Sequence, residues 1–180
     1  MIKVLVTDHR EVEEIFTRLE QQSGQTGEDI ENLATQAVAE LVRHSVAEEQ
    51  YLYPTTRKAL PDGDEIADRE IAEHAEAERT MKRLEALNPT EAEFWPTLTS
   101  LMTEIRSHIQ EEENDLFPRL RAACTKEQLE ELGGKVESAK KAAPTRPHPS
   151  APDKPPANKL LAPGAGLVDR LRDALSGRQT

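Results

Sequence analysis

His44-Ser45-Val46-Ala47-Glu48-Glu49-Gln50-Tyr51-Leu52-Tyr53-Pro54 is answered later in the chain by His108-Ile109-Gln110-Glu111-Glu112-Glu113-Asn114-Asp115-Leu116-Phe117-Pro118. In both copies a carboxylate follows an imidazole by four residues, which on a helix puts the two side chains on one face. A lone histidine beside an acid precedes each copy, Asp8-His9 for the first and Glu73-His74 for the second. The offsets agree, since 108 − 44 is 64 and 74 − 9 is 65. A His–Glu pair on a solvated helix face contributes only about 0.2–0.5 kcal/mol. Such pairs have no reason to keep four histidines in register, whereas a metal site inside a helical bundle does.

The sequence around these phrases reads as helix. No stretch sustains the alternation of a strand, and Ala, Leu, Glu, Arg and Gln dominate. A first helix is expected from about Thr7 to Gln22, followed by a turn at 23–27. The second runs from about Glu28 to Tyr53, with an apolar stripe at Ile30, Leu33, Ala34, Ala37, Val38, Leu41 and Val42, and Pro54 should kink or end it. After a turn at 61–63 the third covers about Asp64 to Leu87 and stops at Asn88-Pro89. Thr90 with Glu93 resembles a capping box opening a fourth helix, which reaches about Ala123 and is bent at Pro96 and Pro118. Thr125 with Gln128 opens a shorter fifth helix that ends near Lys141. The expected fold is all-α, an up-down-up-down four-helix bundle with a short extra helix, occupying residues 1–141.

Residues 142–180 form a separate region. The 142–163 stretch is dense in Pro and Ala and reads as a flexible or polyproline-like linker. Gly166 to Leu175 has a short amphipathic pattern, either a frayed tail or a docking motif for a protein partner.

Helical rise brings the histidines to one depth. His9 lies 15 residues before Gly24, and His44 lies 17 after Gly27. At about 1.5 Å per residue both sit roughly 22–26 Å from the intervening turn. His74 is 14 residues before Asn88 and His108 is 18 after Thr90, again at similar depth. His9, His44, Glu48, His74, His108 and Glu112 are therefore predicted to face one interior cavity. Imidazole mixed with carboxylate suits iron or manganese better than calcium, which takes oxygen only, or structural zinc, which takes thiolates. Because a glutamate can bridge two ions, four His and two Glu fit a pair of metals with positions left for oxo, hydroxo or an exogenous ligand. Asp8 and Glu73 could accept the second N–H of an imidazole. The Leu-aromatic-Pro endings, at 52–54 and 116–118, read as plugs beneath the metal. His148, in the Pro-rich region, receives no role.

Charge and cysteine content narrow the classes further. The formal net charge is −11, from 34 acidic and 23 basic residues. That argues against nucleic acid and against an anionic membrane surface as partners. Cys124 is the single cysteine, so disulfide, zinc-ribbon and iron–sulfur frameworks lack thiolates. The opening residues lack the basic and long apolar segments of a signal peptide or a membrane span, and a cytoplasmic location is expected.

Taken together, Asp8-His9, His44-x3-Glu48, Glu73-His74, His108-x3-Glu112 and the two Glu-Glu-x2-Leu-aromatic-Pro phrases resemble the hemerythrin family, in its HHE cation-binding branch, over about residues 1–140. The resemblance implies a non-haem di-iron centre of two oxo- or hydroxo-bridged iron ions, with His9, His44, Glu48, His74, His108 and Glu112 at the matching positions. It also implies dioxygen, peroxide or nitric oxide as small ligands, with catalase-like chemistry in some four-histidine relatives. An iron- or oxygen-sensing module, whose tail contacts a protein partner, is the alternative. Oxygen-carrying members have a His-x3-His pair on the third helix where this chain has His74-x3-Glu78, and a His-x4-Asp pair on the last helix. Glu78 is thus a candidate additional ligand, and Glu113 competes with Glu112. Extra anionic donors favour the ferric state and count against reversible dioxygen carriage.

Overall fold

Apolar side chains recurring every three or four residues give each long helix one dry face. The computed structural model describes residues 1–148 together with 165, 166, 168, 169 and 173. Helix α1 (Ile2–Gln21) buries Leu5, Val12, Ile15, Phe16 and Leu19. Gly24 and Gly27, at φ values of 79° and 121° that favour glycine, turn the chain into α2 (Glu28–Ala47). A π-helical turn, Glu48–Leu52, leads directly into α3 (Tyr53–Ala59). Helix α4 (Gly63–Leu84) runs back and α5 (Phe94–Glu111) returns. A second π-helical turn, Glu112–Leu116, feeds α6 (Phe117–Ala123), and α7 (Lys126–Ala142) follows.

α1 packs on α2 and α4 on α5, with α2 touching α4, which gives the expected up-down-up-down bundle. α7 lies against α1, α2 and the first π-helical turn. Two apolar clusters fill the interior. One, around Phe16, Val38, Met81 and Leu101, occupies the end near the 22–27 turn. The other, around Leu5, Leu52, Tyr53, Phe117 and Val136, occupies the opposite end. His9 falls between Leu5 and Val12 on α1, so the histidine layer separates the two clusters. No strand occurs among the described residues, and no helix there is long and apolar enough to cross a membrane.

Several boundaries differ from expectation. α1 starts at Ile2 rather than Thr7, because Met1, Ile2 and Leu5 find apolar partners in the same cluster as Val136 of α7. Gly133 permits that approach, since a Cβ there would lie 2.6 Å from the Met1 nitrogen. Pro54 does not end the helical path. Its ring would crowd the carbonyl four residues back, and the wider π-helical turn just before it relieves that crowding. Pro118 is accommodated in the same way. The Thr90–Glu93 capping box does not form. Both the amide and the hydroxyl of Thr90 donate to Asn88 Oδ1, at 3.0 and 2.8 Å, and α5 begins later, at Phe94. Pro96 therefore sits in the first turn of α5, where its missing N–H breaks no helical bond. The Thr125–Gln128 box is present. Of the C-terminal region, 149–164 lies outside the described residues, and only 166, 168, 169 and 173 of the amphipathic segment fall within them.

Candidate metal centre

The repeat builds two matched poles. At the first, His9 from α1 and His44 from α2 bring their Nε2 atoms to 3.2 Å. At the second, His74 from α4 and His108 from α5 do so at 3.3 Å. Glu48 spans the poles, with Oε1 3.1 Å from His44 Nε2 and Oε2 3.4 Å from His74 Nε2. Glu112 spans them from the other hairpin, with Oε2 3.3 Å from His9 Nε2 and Oε1 3.8 Å from His108 Nε2. Each pole thus offers two imidazole nitrogens and one oxygen from each glutamate. The structure brings together all six residues singled out in the sequence, and all six are buried.

A ring of acids holds the outward-facing Nδ1 atoms. Asp8 lies 3.3 Å from His44 Nδ1, Glu113 2.8 Å from His9, Glu49 3.3 Å from His74, and Glu73 3.0 Å from His108. Every one of these contacts is to a histidine on another helix. Asp8 and Glu73 serve as carboxylate partners, as their sequence positions implied, but not of the histidines beside them. Such contacts fix ring orientation and present Nε2 inward. Glu113 is thereby engaged on the outer nitrogen of His9, while Glu112 occupies the centre. Glu78 is in none of the His/Glu groupings able to hold an ion among the described residues, and its carboxylate accepts the His148 backbone N–H at 3.0 Å. His148 itself lies 2.9 Å from Asp169.

Three further residues reach the site without a ligand or hydrogen-bonding role in the sequence reading. Glu49 is one of them, although its twin Glu113 had been considered. Glu70 is buried one turn before His74, 3.1 Å from His108 Nδ1, and groups with His108 and Glu112. Its counterpart in the first repeat is Leu5, so the repeat carried no signal for it. Tyr53 is fully buried, as a plug should be, but its hydroxyl also lies 2.9 Å from His74 Nε2. The matching Phe117 stacks on His9 instead, with ring centroids 5.8 Å apart. The poles are therefore not identical: the second carries a hydroxyl and an extra acid.

Two observations test whether a metal fits. None of the four carboxylate oxygens of Glu48 and Glu112 has a hydrogen-bond partner, though both side chains are fully buried. Buried carboxylates left this way are costly unless a cation satisfies them. The donor spacing also suits an ion. Ligands about 2.1 Å from a metal and spread over tetrahedral or octahedral directions lie roughly 3.0–3.4 Å apart, and five of the six spacings above fall in that range. The protein groups alone show the strain. Burial pulls the His44 imidazole down, but Glu48 and Asp8 outweigh it and push it up to about 10. His108 is raised well above 6.5, against burial, by Glu112, Glu70 and Glu73. Burial and then the Glu48 charge raise the Glu112 carboxyl, while His44 and His74 overcome burial to hold Glu48 well below its ordinary range.

Beside the rings lies a cavity of about 20 Å³, lined by the four histidines and by Val12, Leu41, Ile105 and Ile109. That is room for roughly one water-sized molecule.

Residues 1–120 match the family described as Hemerythrin HHE cation binding domain. An uncharacterized hemerythrin-like protein of Schizosaccharomyces pombe is 32% identical over 169 residues, which make up 93% of this chain and 82% of that protein. A DNA nickase of Nostoc sp. is 30% identical over 139 residues, or 76% of this chain but only 38% of the nickase. A crystal structure of a hemerythrin HHE cation-binding domain-containing protein from Mycobacterium kansasii aligns with a TM-score of 0.66 at 23% identity, covering 77% of this chain and 83% of that one. That last match is a likeness of fold.

Proposed function

This chain belongs to the hemerythrin family of HHE cation-binding domains, and on that premise we propose that its buried His–Glu layer holds two iron ions and reacts with dioxygen, peroxide or nitric oxide. The carrying observation is the pair of spanning glutamates, whose four oxygens lack hydrogen bonds and divide evenly between two imidazole pairs. One ion would leave half of those donors unused. His9 and His44 would hold one ion, His74 and His108 the other, with Glu48 and Glu112 shared. Iron bound there supplies redox and Lewis-acid chemistry.

The residues around the donors limit what reaches them. A cavity of about 20 Å³ is on the scale of a ligand of a few atoms and is small for an organic substrate. Val12, Leu41, Ile105 and Ile109 give it an apolar wall that keeps bulk water out. The Tyr53 O–H, beside His74 Nε2, can donate a hydrogen bond to a small ligand at the second pole. The acids on the Nδ1 atoms strengthen the imidazoles as donors and favour the ferric state.

Iron quantitation joined to an optical spectrum, before and after peroxide, tests this reading. Two irons per chain and ferric absorption bands that change with peroxide are expected, with both lost in His108→Ala. Protein that retains one iron or none after anaerobic ferrous loading overturns the reading. Dioxygen release from peroxide by the loaded protein would place it among catalase-like enzymes; two bound irons with no turnover would leave it a binder of these ligands.

A further inference from the structure

Three of the acids on the outer ring nitrogens are themselves held by cations. Glu113 pairs with Arg10, Glu70 with Arg69, and Asp8 with Lys140. Arg10 and Arg69 belong to α1 and α4, the helices that carry His9 and His74. Lys140 does not: it comes from the last turn of α7, the helix outside the four-helix bundle and outside the sequence repeat. Its Nζ meets Asp8 Oδ1 while Asp8 Oδ2 faces His44 Nδ1 at 3.3 Å. The Lys140 and Asp8 side chains are only 17% and 7% exposed. A shielded ion pair of this kind acts at a lower effective dielectric than a surface pair. Asp8 also lines both the inner cavity and an outer groove shared with Lys3, Arg43 and Lys141, so the pair stands between solvent and the histidine layer.

From this chain of contacts we infer that Lys140 is a positioning residue of the metal centre, acting through Asp8 on His44. The inference rests on the two-iron reading above. A carboxylate that accepts the outer N–H of a ligating imidazole makes the ring a stronger donor. A cation on the carboxylate's other oxygen draws charge away and weakens that pull. Lys140 therefore moderates how strongly His44 donates, and through it the balance of ferric and ferrous states at the first pole. Helix α7 is thus tied to the chemistry of the centre as well as to the packing of α1 and α2.

The test is a redox titration of full-length, iron-loaded protein, followed by its optical and paramagnetic signals. In Lys140→Gln and in Lys140→Met, Asp8 loses its counter-charge. The ferric-to-ferrous ratio of one iron at a fixed potential should rise about tenfold, which is about 59 mV for a one-electron couple. Lys140→Arg should behave as the parent. Lys141→Gln, which alters the same groove but not the Asp8 contact, should leave both couples in place. Asp8→Asn, which weakens the pull on His44, should shift the same couple in the opposite direction. Parent protein with fewer than two irons defeats the two-iron reading itself. Two irons with unmoved couples in both charge-removing variants overturn the role of Lys140, as does an equal shift in Lys141→Gln. Folded Gln and Met variants that lose iron contradict the strengthened donation expected of His44 and overturn it. Failure of both to fold, judged by circular dichroism, makes Lys140 a packing residue and also overturns it.

Discussion

Burial and the neighbouring charge of Glu48 both raise the Glu112 carboxyl, so its ionised form is less favoured in the folded protein than in water unless a cation stands beside it. Glu112→Gln removes that charge with little change of shape. Metal-free protein carrying it should be more stable than the parent, by roughly 1–3 kcal/mol, the usual scale for relieving a buried unsatisfied group. The same variant should lose iron. Denaturant unfolding of the two metal-free proteins, set beside iron quantitation, checks both halves; a destabilised metal-free variant contradicts the argument. The histidines act through protons. Without metal, His44, pushed up to about 10, carries a proton at neutral pH, and His74 and His108 are shifted in the same direction by the acids around them. Their contribution to metal-free stability is complete below the unfolded value of about 6.5 and is lost as pH rises through the folded values, about 10 for His44. A metal needs them neutral at Nε2, so binding expels protons and weakens as pH falls. Titration of metal into weakly buffered protein at pH 7, with an indicator dye, should show acidification; no proton release would count against these shifts.

Among the elements, the two π-helical turns do most to shape the centre. In each, the Tyr53 or Phe117 amide donates to the carbonyl of the glutamate five residues back. That spacing puts Glu48 and Tyr53 on one face, and likewise Glu112 and Phe117, whereas five residues of regular α-helix would turn the aromatic well away. Replacing Pro54 by Ala restores an N–H and removes the ring that crowds the Gln50 carbonyl, which favours a regular turn. Pro54→Ala should preserve helix content while lowering metal affinity about 10–100-fold, the range seen when support around metal ligands is disturbed. Circular dichroism and competitive metal titration measure the two effects, and unchanged affinity would show that the turn does not depend on the proline. The sequence pattern located the long helices because apolar periodicity reports which face is dry. It could not locate the ends, which answer to partners distant in sequence: α1 is extended by α7, and α5 is delayed by Asn88.

Across the whole molecule, the six central residues were legible because the repeat writes them twice at an offset of 64 or 65 residues. The surrounding acids were harder to assign. Asp8 adjoins His9 yet holds His44, and Glu73 adjoins His74 yet holds His108. Consecutive residues on a helix point about 100° apart, so an acid beside a ligand serves the facing helix instead. Glu70 and Lys140 lie where the repeat has no matching polar residue or no second copy at all, and only the packed helices reveal them. Because Glu48 and Glu112 each reach both poles, on the proposed two-iron reading a first ion would orient the donors awaiting a second. Loading should therefore be cooperative: with half an equivalent of metal per site, native mass spectrometry should find mostly empty and fully charged molecules, and a large singly occupied population would show that the two halves fill independently.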